Sequence, residues 1–112
     1  MIKVKDLAQM EEFTLLNDKG NLEREITSGY ISDLLSWVMA HAQNNCAWIT
    51  IMTHMNIIAV ASLIEMACII VAENEKVAPD TLAKADEEGI AVFSSSLTAY
   101  EIAGKLIEKG IH

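Results

Sequence analysis

Two runs of β-branched and aromatic residues, separated by a segment of helix length, constrain the fold of this chain more than any other feature. The first run is WITIMT at 48–53, and the second is ACIIVA at 67–72. Between them, HMNIIAVASLIEM at 54–66 is long enough for about three helical turns. Two strands joined by one helix form a βαβ unit, with parallel strands and a right-handed crossover. The sequence therefore predicts a parallel sheet at the centre of the molecule.

The segments before this unit add two helices and two strands. In chain order the predicted elements are a helix at 4–12, a strand at 13–17, a weak strand at 24–32 and a helix at 33–43. Gly20 lies in the turn DKGN, where we expect a positive φ. Ser32 is the predicted N-cap of the helix at 33–43, with Asp33 in its first turn.

The segments after this unit repeat the alternation of helix and strand. They are a helix at 77–89, a strand at 90–94 and a helix at 98–110. Pro79 begins the first of these helices and Gly89 follows it, while Thr98 and Glu101 have the spacing of a capping box. We therefore predict a single domain at 1–112, a three-layer α/β sandwich with a mostly parallel sheet built from βαβ units.

Charge and composition exclude several kinds of partner. The formal net charge is −8, and the eight Lys and Arg residues are scattered along the chain. Binding to a nucleic acid backbone needs clustered basic residues, so no nucleic acid partner is expected, and an anionic membrane surface is disfavoured for the same reason. Polar residues interrupt the apolar stretch at 48–72, so we expect no membrane span. The absence of a signal-peptide pattern and of a CxxC motif favours a reduced, cytoplasmic protein.

No catalytic signature occurs in the sequence. GxGxxG, Walker, GxSxG and HExxH motifs are all absent. His41, His54 and His112 do not have metal-ligand spacing, and Cys46 and Cys68 do not form a thiolate pair. We therefore expect no catalytic residues, no metal site and no cofactor.

Polar residues collect where the predicted parallel strands end. Ligands of open parallel sheets bind outside these carboxyl ends, so the polar residues there are candidates for a small-ligand site. The candidates are Thr53, His54, Asn56, Asn74, Ser94, Ser95 and Thr98.

Helix capping is the alternative explanation for part of this set. Thr53 could cap the helix that follows the strand, with Asn56 bonding back to its first turn, and capping typically stabilises a helix by about 1 kcal/mol. Thr98 is similarly explained by its own capping box with Glu101. The residues alone leave both explanations open.

The helix predicted at 54–66 is apolar around most of its circumference. A sheet covers only one side of such a helix, so something else must cover the rest. Ile57, Ile58, Ala61 and Ile64 are therefore candidate residues of a homodimer or partner interface with two-fold symmetry. The alternative is that they pack inside the core of one chain.

Several stretches of the sequence resemble the DRTGG domain family, which is related to the N-terminal domain of HPr kinase/phosphorylase. They are IKVKDLAQ, FTLLN, REITSGYISDLLS, WITIMTHMNIIAVA and LTAYEIAGKL. The name-giving signature is absent. Thr53, His54 and Met55 stand at the place of its Asp-Arg pair, and 72–74 stands at the place of its Thr-Gly-Gly phrase.

The resemblance implies an HPr kinase N-terminal-domain-like fold and a regulatory role. Relatives accompany CBS domains in pyrophosphatases, contribute to dimerisation and are associated with redox gene clusters. The first hypothesis is thus a non-enzymatic, homodimeric regulatory domain that binds a protein partner in energy or redox metabolism. The second is a small-ligand sensor of a nucleotide or anion, and the third, with least support, is an enzyme using His54 as a general base.

Overall fold

A computed structural model describes the whole chain, Met1–His112. The helices are α1 (Val4–Ala8), α2 (Leu35–His41), α3 (Asn56–Ile64), α4 (Pro79–Glu88) and α5 (Ala99–Glu108). The strands are β1 (Thr14–Leu15), β2 (Ser28–Ile31), β3 (Cys46–Thr50), β4 (Cys68–Val71) and β5 (Ala91–Ser94). Every predicted helix and strand is present. All have shorter bounds within the predicted ranges except β3, which begins at Cys46 rather than Trp48 and ends at Thr50 rather than Thr53.

The five strands form one sheet in the order β1-β5-β4-β3-β2. β2, β3, β4 and β5 are mutually parallel, and β1 alone runs antiparallel, beside β5. β3 and β4 are buried along their whole length, which is why both read as continuous apolar runs rather than as alternating ones. The predicted α/β class with a mostly parallel sheet is confirmed.

Helices cover both faces of this sheet. On one face α2, α3 and α4 pack over a core that includes Val38, Trp48 and Ile69. On the other face α1 and α5 pack over a second core that includes Leu7 and Phe93. The chain therefore changes face between β5 and α5. None of the five helices combines the length and the apolar character needed to cross a bilayer.

Two local predictions are wrong. Gly20 does not have a positive φ. Glycine is needed there because a Cβ would overlap Ala91 Cα in β5. Ser32 does not cap α2, which begins at Leu35 without a side-chain cap. Instead its Oγ accepts a 3.3 Å hydrogen bond from the N–H of Leu34. In contrast, the capping box at Thr98 and the αL Gly89 after α4 are confirmed.

Candidate functional site

Three of the predicted site residues line one depression at the carboxyl end of β3. Thr53, His54 and Asn56 border a cavity of about 370 Å³, which we call the strand-end pocket. Its remaining lining is apolar and comes from Leu35, Ile51, Met52 and Ile57. His54 is exposed and is the one titratable side chain in this lining. The pocket is therefore an apolar hollow with a polar rim.

Helix capping does not explain Thr53 and Asn56. α3 begins at Asn56, its N-cap residue is Met55, and no side chain caps it. Thr53 contributes its backbone carbonyl, which accepts a 3.0 Å hydrogen bond from Thr81 Oγ1 of α4. This bond fixes the loop after β3 against the buried start of α4 while leaving the three side chains at the pocket rim.

The other predicted site residues lie elsewhere. Asn74 and Ser94 line a separate depression of about 290 Å³ together with Glu75 and Lys76. Ser95 is buried and its Oγ accepts a hydrogen bond from the N–H of Leu97. Thr98 is used as the cap of α5, where it accepts a hydrogen bond from the N–H of Glu101.

Backbone hydrogen bonds join the loops after β4 and β5 to each other rather than to the loop after β3. After β4, the N–H of Glu73 donates to Leu97 O at 2.9 Å and that of Asn74 donates to Ser95 O at 2.8 Å. These bonds hold the loops after β4 and β5 against each other. Asn74 and Ser94 line their own depression there, and no single crevice spans all three loops.

Asp33 is a residue of this edge whose position the sequence prediction missed. Instead of lying in the first turn of α2, its carboxylate accepts hydrogen bonds from Thr50 Oγ1 at 2.6 Å and from the N–H of Ile51 at 2.9 Å. Trp48 Nε1 likewise donates to Ser32 O at 3.0 Å. The exits of β2 and β3 are thereby locked together, which holds one wall of the strand-end pocket. An acidic residue directly after a strand was the signal available in the sequence.

The predicted interface on α3 is wrong for three of its four residues. Ile57, Ile58 and Ala61 have no exposed surface, because they pack against the sheet and the neighbouring helices. Ile64 is half-buried. The side of α3 that remains open carries Leu63 instead.

An apolar groove runs between α2 and α3 where the open sides of these helices meet. The groove has a volume of about 270 Å³ and shares Leu35 and Asn56 with the strand-end pocket, so the two are continuous. We call the combined area the α2–α3 surface. Its lining residues are Leu35, Met39, Ile51, Met52, Thr53, His54, Asn56, Ala59, Val60 and Leu63, above the buried Ile57.

The side chains around this surface are more exposed than apolar residues usually are. Leu63 is 70% exposed, Met39 51% and Ile51 45%. With about 200 Å² per large side chain, these three together with the similarly exposed Met55 leave roughly 400 Å² of apolar area open to water. An area of that size lies within the range of the largest patch on a monomer, which is often a functional site.

The two cysteines are not reactive groups. Cys46 faces the core beneath α2–α4 and Cys68 faces the opposite core, so the sheet separates them. Burial raises the pKa of the Cys46 thiol to about 11 and raises that of Cys68 further. No three His, Cys, Asp or Glu side chains are grouped as a metal-ligand set.

Comparison with known proteins identifies the fold. No known family model and no characterised protein sequence is similar enough to match this chain. It is similar in structure to the CBS and DRTGG domains of the regulatory region of Clostridium perfringens pyrophosphatase, solved with the activator diadenosine tetraphosphate. The TM-score is 0.67 and the sequence identity 10%, over 97% of this chain. The chain spans 47% of that structure, about half of its length. This likeness establishes a shared fold and agrees in fold with the resemblance to DRTGG domains.

Proposed function

We propose that this chain is a non-enzymatic regulatory domain that acts by binding a protein partner through the α2–α3 surface. The observation that carries the proposal is the open, methionine-containing groove between the two helices. Methionine side chains are flexible and polarisable, and they suit surfaces that adapt to an apolar partner. The likeness in fold to part of a regulatory region supports the same role.

The partner that fits this surface is an amphipathic helix with a basic polar face. A groove between two helices accepts the apolar face of a third helix, with anchors at i, i+3, i+4 and i+7. Glu65 follows the end of α3, and Glu88 of α4 accepts a 2.8 Å hydrogen bond from Ser62 Oγ on the side of α3 that faces α4. With a net charge of −8, the chain favours encounter with a basic partner.

A model peptide tests this proposal directly. The probe is a labelled amphipathic helix of Leu and Lys, about 18 residues or five turns long, and binding is followed by fluorescence anisotropy. Leu63→Gln removes an apolar anchor, and we expect roughly tenfold weaker binding, equivalent to about 1.4 kcal/mol. Tyr100→Gln on α5 is the matched control, because Tyr100 is 89% exposed but lies on the opposite layer.

Three results would contradict the proposal. One is equal affinity for a peptide of the same composition in scrambled order, which would show attraction by charge alone. Another is unchanged affinity in Leu63→Gln. A loss of equal size in Leu63→Gln and Tyr100→Gln would place the peptide on no particular surface and would also refute the α2–α3 assignment.

The second candidate function is a small-ligand sensor with its site in the strand-end pocket. Its specific support is the rim of Thr53, His54 and Asn56, which helix capping does not use. The structurally similar pyrophosphatase region binds diadenosine tetraphosphate, so adenine nucleotides are the natural probes. His54 is the one side chain of the pocket that can carry positive charge, and this lack of cationic groups ranks a polyphosphate ligand below a protein partner.

Thermal shift measures this second function. The probes are AMP, ATP, diadenosine tetraphosphate and inorganic phosphate. A ligand at 100 times its Kd adds about 2.7 kcal/mol and raises the Tm by several degrees. We expect His54→Ala to abolish the shift and His41→Ala, at an exposed histidine of α2, to preserve it. Absence of a shift with every probe, or an identical shift in both variants, would remove the pocket as a nucleotide site.

The homodimeric state also belongs to the proposal, on a surface other than the buried face of α3. The cytoplasmic location and the link to energy or redox metabolism stay predictions. General-base catalysis by His54 is not proposed, because no acidic side chain that could orient the imidazole lines the strand-end pocket with it.

A further inference from the structure

β2 is an edge strand with unpaired backbone groups. It pairs with β3 on one side and with no strand on the other. The N–H of Thr27 donates to Asn45 O, towards β3. Because these groups alternate sides along a strand, Gly29 and Ile31 also point towards β3, whereas the N–H and C=O of Ser28 and Tyr30 point outward.

The N-terminal segment closes this edge only before β2 begins. Lys3 pairs with Glu25 in an antiparallel bridge, and the N–H of Ile26 donates to Ile2 O. Beyond that point nothing pairs with the strand. An open row of donors and acceptors is a template for another strand, and edge strands are usually protected by Lys, Pro or a bulge. The sequence ITSGYIS at 26–32 contains neither a charged residue nor proline.

An apolar slot lies beside this edge, on the face covered by α5. Its volume is about 140 Å³, and the slot is open because Gly29 has no side chain to fill it. The lining residues are Gly29, Ile31, Ile49, Ala103, Leu106, Ile107, Ile111 and His112. Within the same strand, Ile31 projects from the same face and is 47% exposed. The apolar slot beside Gly29 and the exposed apolar side chain of Ile31 are thus two residues apart in the strand.

We infer that β2 pairs antiparallel with β2 of a second copy of this chain, with Tyr30 at the two-fold axis. In that register Tyr30 lies opposite Tyr30 of the second copy, and each donates to and accepts from the other. Gly29 lies opposite Ile31 of the second copy, as a close non-hydrogen-bonded pair. Each Ile31 then enters the slot that the other copy's Gly29 leaves open. The slot at Gly29 and the side chain of Ile31 are therefore self-complementary across the axis, which a two-fold dimer requires.

Charge supports a second copy as the occupant. Two copies of a chain with a net charge of −8 repel each other, so an uncharged stretch favours their contact. The segment 26–32 is such a stretch. In the register centred on Tyr30, Asp33 lies opposite Thr27, and no two acidic residues face each other. The Asp33 carboxylate is also engaged with Thr50 and Ile51 of its own chain.

The exposed area indicates how strong the dimer is. Ile31, Ile107 (54% exposed) and Trp37 (54% exposed) flank the edge. Trp37 stacks on His41 at 4.0 Å, and His41 lines the other flank with Ser28 and Tyr30. Taking about 200 Å² per side chain, these residues supply roughly 300 Å² of apolar area per copy. A standard interface buries ~800 Å² per partner, of which somewhat more than half is apolar, so this is a small apolar contribution and we expect a Kd in the micromolar range.

Sedimentation of the purified full chain from about 1 to 100 µM, the range that brackets a weak interface, tests the inference. The wild type should pass from monomer to dimer. Ile31→Lys should raise the Kd at least tenfold while retaining the circular dichroism of the fold. Leu63→Lys is the matched control, with the same exchange at a 70% exposed residue of the α2–α3 surface, and it should dimerise like the wild type.

Disulfide cross-linking tests the register of the two strands. Both natural cysteines are buried, so Tyr30→Cys introduces the one accessible thiol. Two such thiols face each other across the axis at a Cα separation of about 5.5 Å, within disulfide range. Mild oxidation should give a covalent dimer that Ser36→Cys on α2 does not give.

Each contrary result has a distinct meaning. A wild type that stays monomeric up to about 100 µM, ten or more times a low-micromolar Kd, overturns the inference. Dissociation by Leu63→Lys rather than Ile31→Lys overturns it too and assigns self-association to the α2–α3 surface. The inference rests only on the proposed homodimeric state. Peptide binding by Ile31→Lys distinguishes dimerisation through β2 from partner binding at the α2–α3 surface, because the peptide should still bind to this variant even if β2 does not dimerise.

Discussion

Replacement of Asn17 provides the most direct test of how the sheet is held at its antiparallel end. The Asn17 amide is 5% exposed and lies just after β1. Its Nδ2 donates to Ile90 O at 2.8 Å and to Asp86 Oδ1 at 2.9 Å, while its Oδ1 accepts from the N–H of Val92 at 2.8 Å. One side chain therefore joins β1 to the end of α4 and to β5.

The magnitude follows from what Asn17→Ala leaves unpaired. Val92 is fully buried and Ile90 is 4% exposed, so their backbone groups lose a partner that water does not readily replace. A buried polar group without a partner costs about 1–3 kcal/mol. We therefore expect unfolding to be easier by about 3 kcal/mol in total. For a domain of this size that lowers the Tm by roughly 10–15 °C.

Urea unfolding followed by circular dichroism measures this difference. Asn44→Ala is the control, because Asn44 is exposed and should change stability by less than about 0.5 kcal/mol. Asn17→Asp keeps the acceptor for Val92 but places a second carboxylate beside Asp86, so its deficit should shrink as the pH falls and one carboxyl protonates. An Asn17→Ala protein as stable as Asn44→Ala would refute the reasoning, since it would mean that water satisfies the freed groups.

Three further predictions concern backbone space, capping and ionisation. Gly20→Ala should lower the free energy of unfolding by at least about 2 kcal/mol, because its methyl group would overlap the backbone of β5. Gly104→Ala, on the open side of α5, should raise it by about 0.5–1 kcal/mol. Urea unfolding measures both changes. Thr98→Ala should lose about 1 kcal/mol with its cap; Thr53→Ala should change stability by under about 0.5 kcal/mol, and an equal loss in both would show that Thr53 does cap α3. Burial holds the pKa of Cys46 near 11 against an ordinary 9.0, so above pH 9.0 the unfolded chain releases a proton that the folded chain keeps, and stability falls by up to about 1.4 kcal/mol per pH unit. Stability measured against pH should fall less steeply in Cys46→Ala, and an unchanged slope would contradict the assignment.

Local sequence patterns were sufficient for the elements and the class of fold. The runs at 48–53 and 67–72 indicated β3 and β4 because a strand covered on both faces is buried, and mostly apolar, along its whole length. Pro79 and Gly89 marked the ends of α4 because each has a backbone preference that acts within a single turn. The same locality explains why Thr98 was correctly assigned as a cap.

The site could be predicted only in part. Thr53, His54 and Asn56 adjoin in the sequence, and they also share the strand-end pocket. Asn74, Ser94 and Ser95 were expected to join them, but Asn74 and Ser94 line a separate depression, and the bond from the N–H of Asn74 to Ser95 O holds those two loops together. Pairing between two loops depends on their relative height above the sheet, which no pattern within either loop encodes.

The same distinction separates what the sequence by itself determined from what only the tertiary structure decided. Composition and periodicity determined that α3 must be covered on several sides. Only the packed chain decided that the sheet, α2 and α4 cover Ile57, Ile58 and Ala61, and that Leu63 stays open. Likewise, the apolar and glycine pattern of β2 indicated a strand, but its place at the free edge of the sheet came from strand order. The physical reason is the distance along the sequence over which each effect acts. Propensity and capping act over about one turn, whereas burial and the exposure of an edge depend on residues that are distant in the sequence.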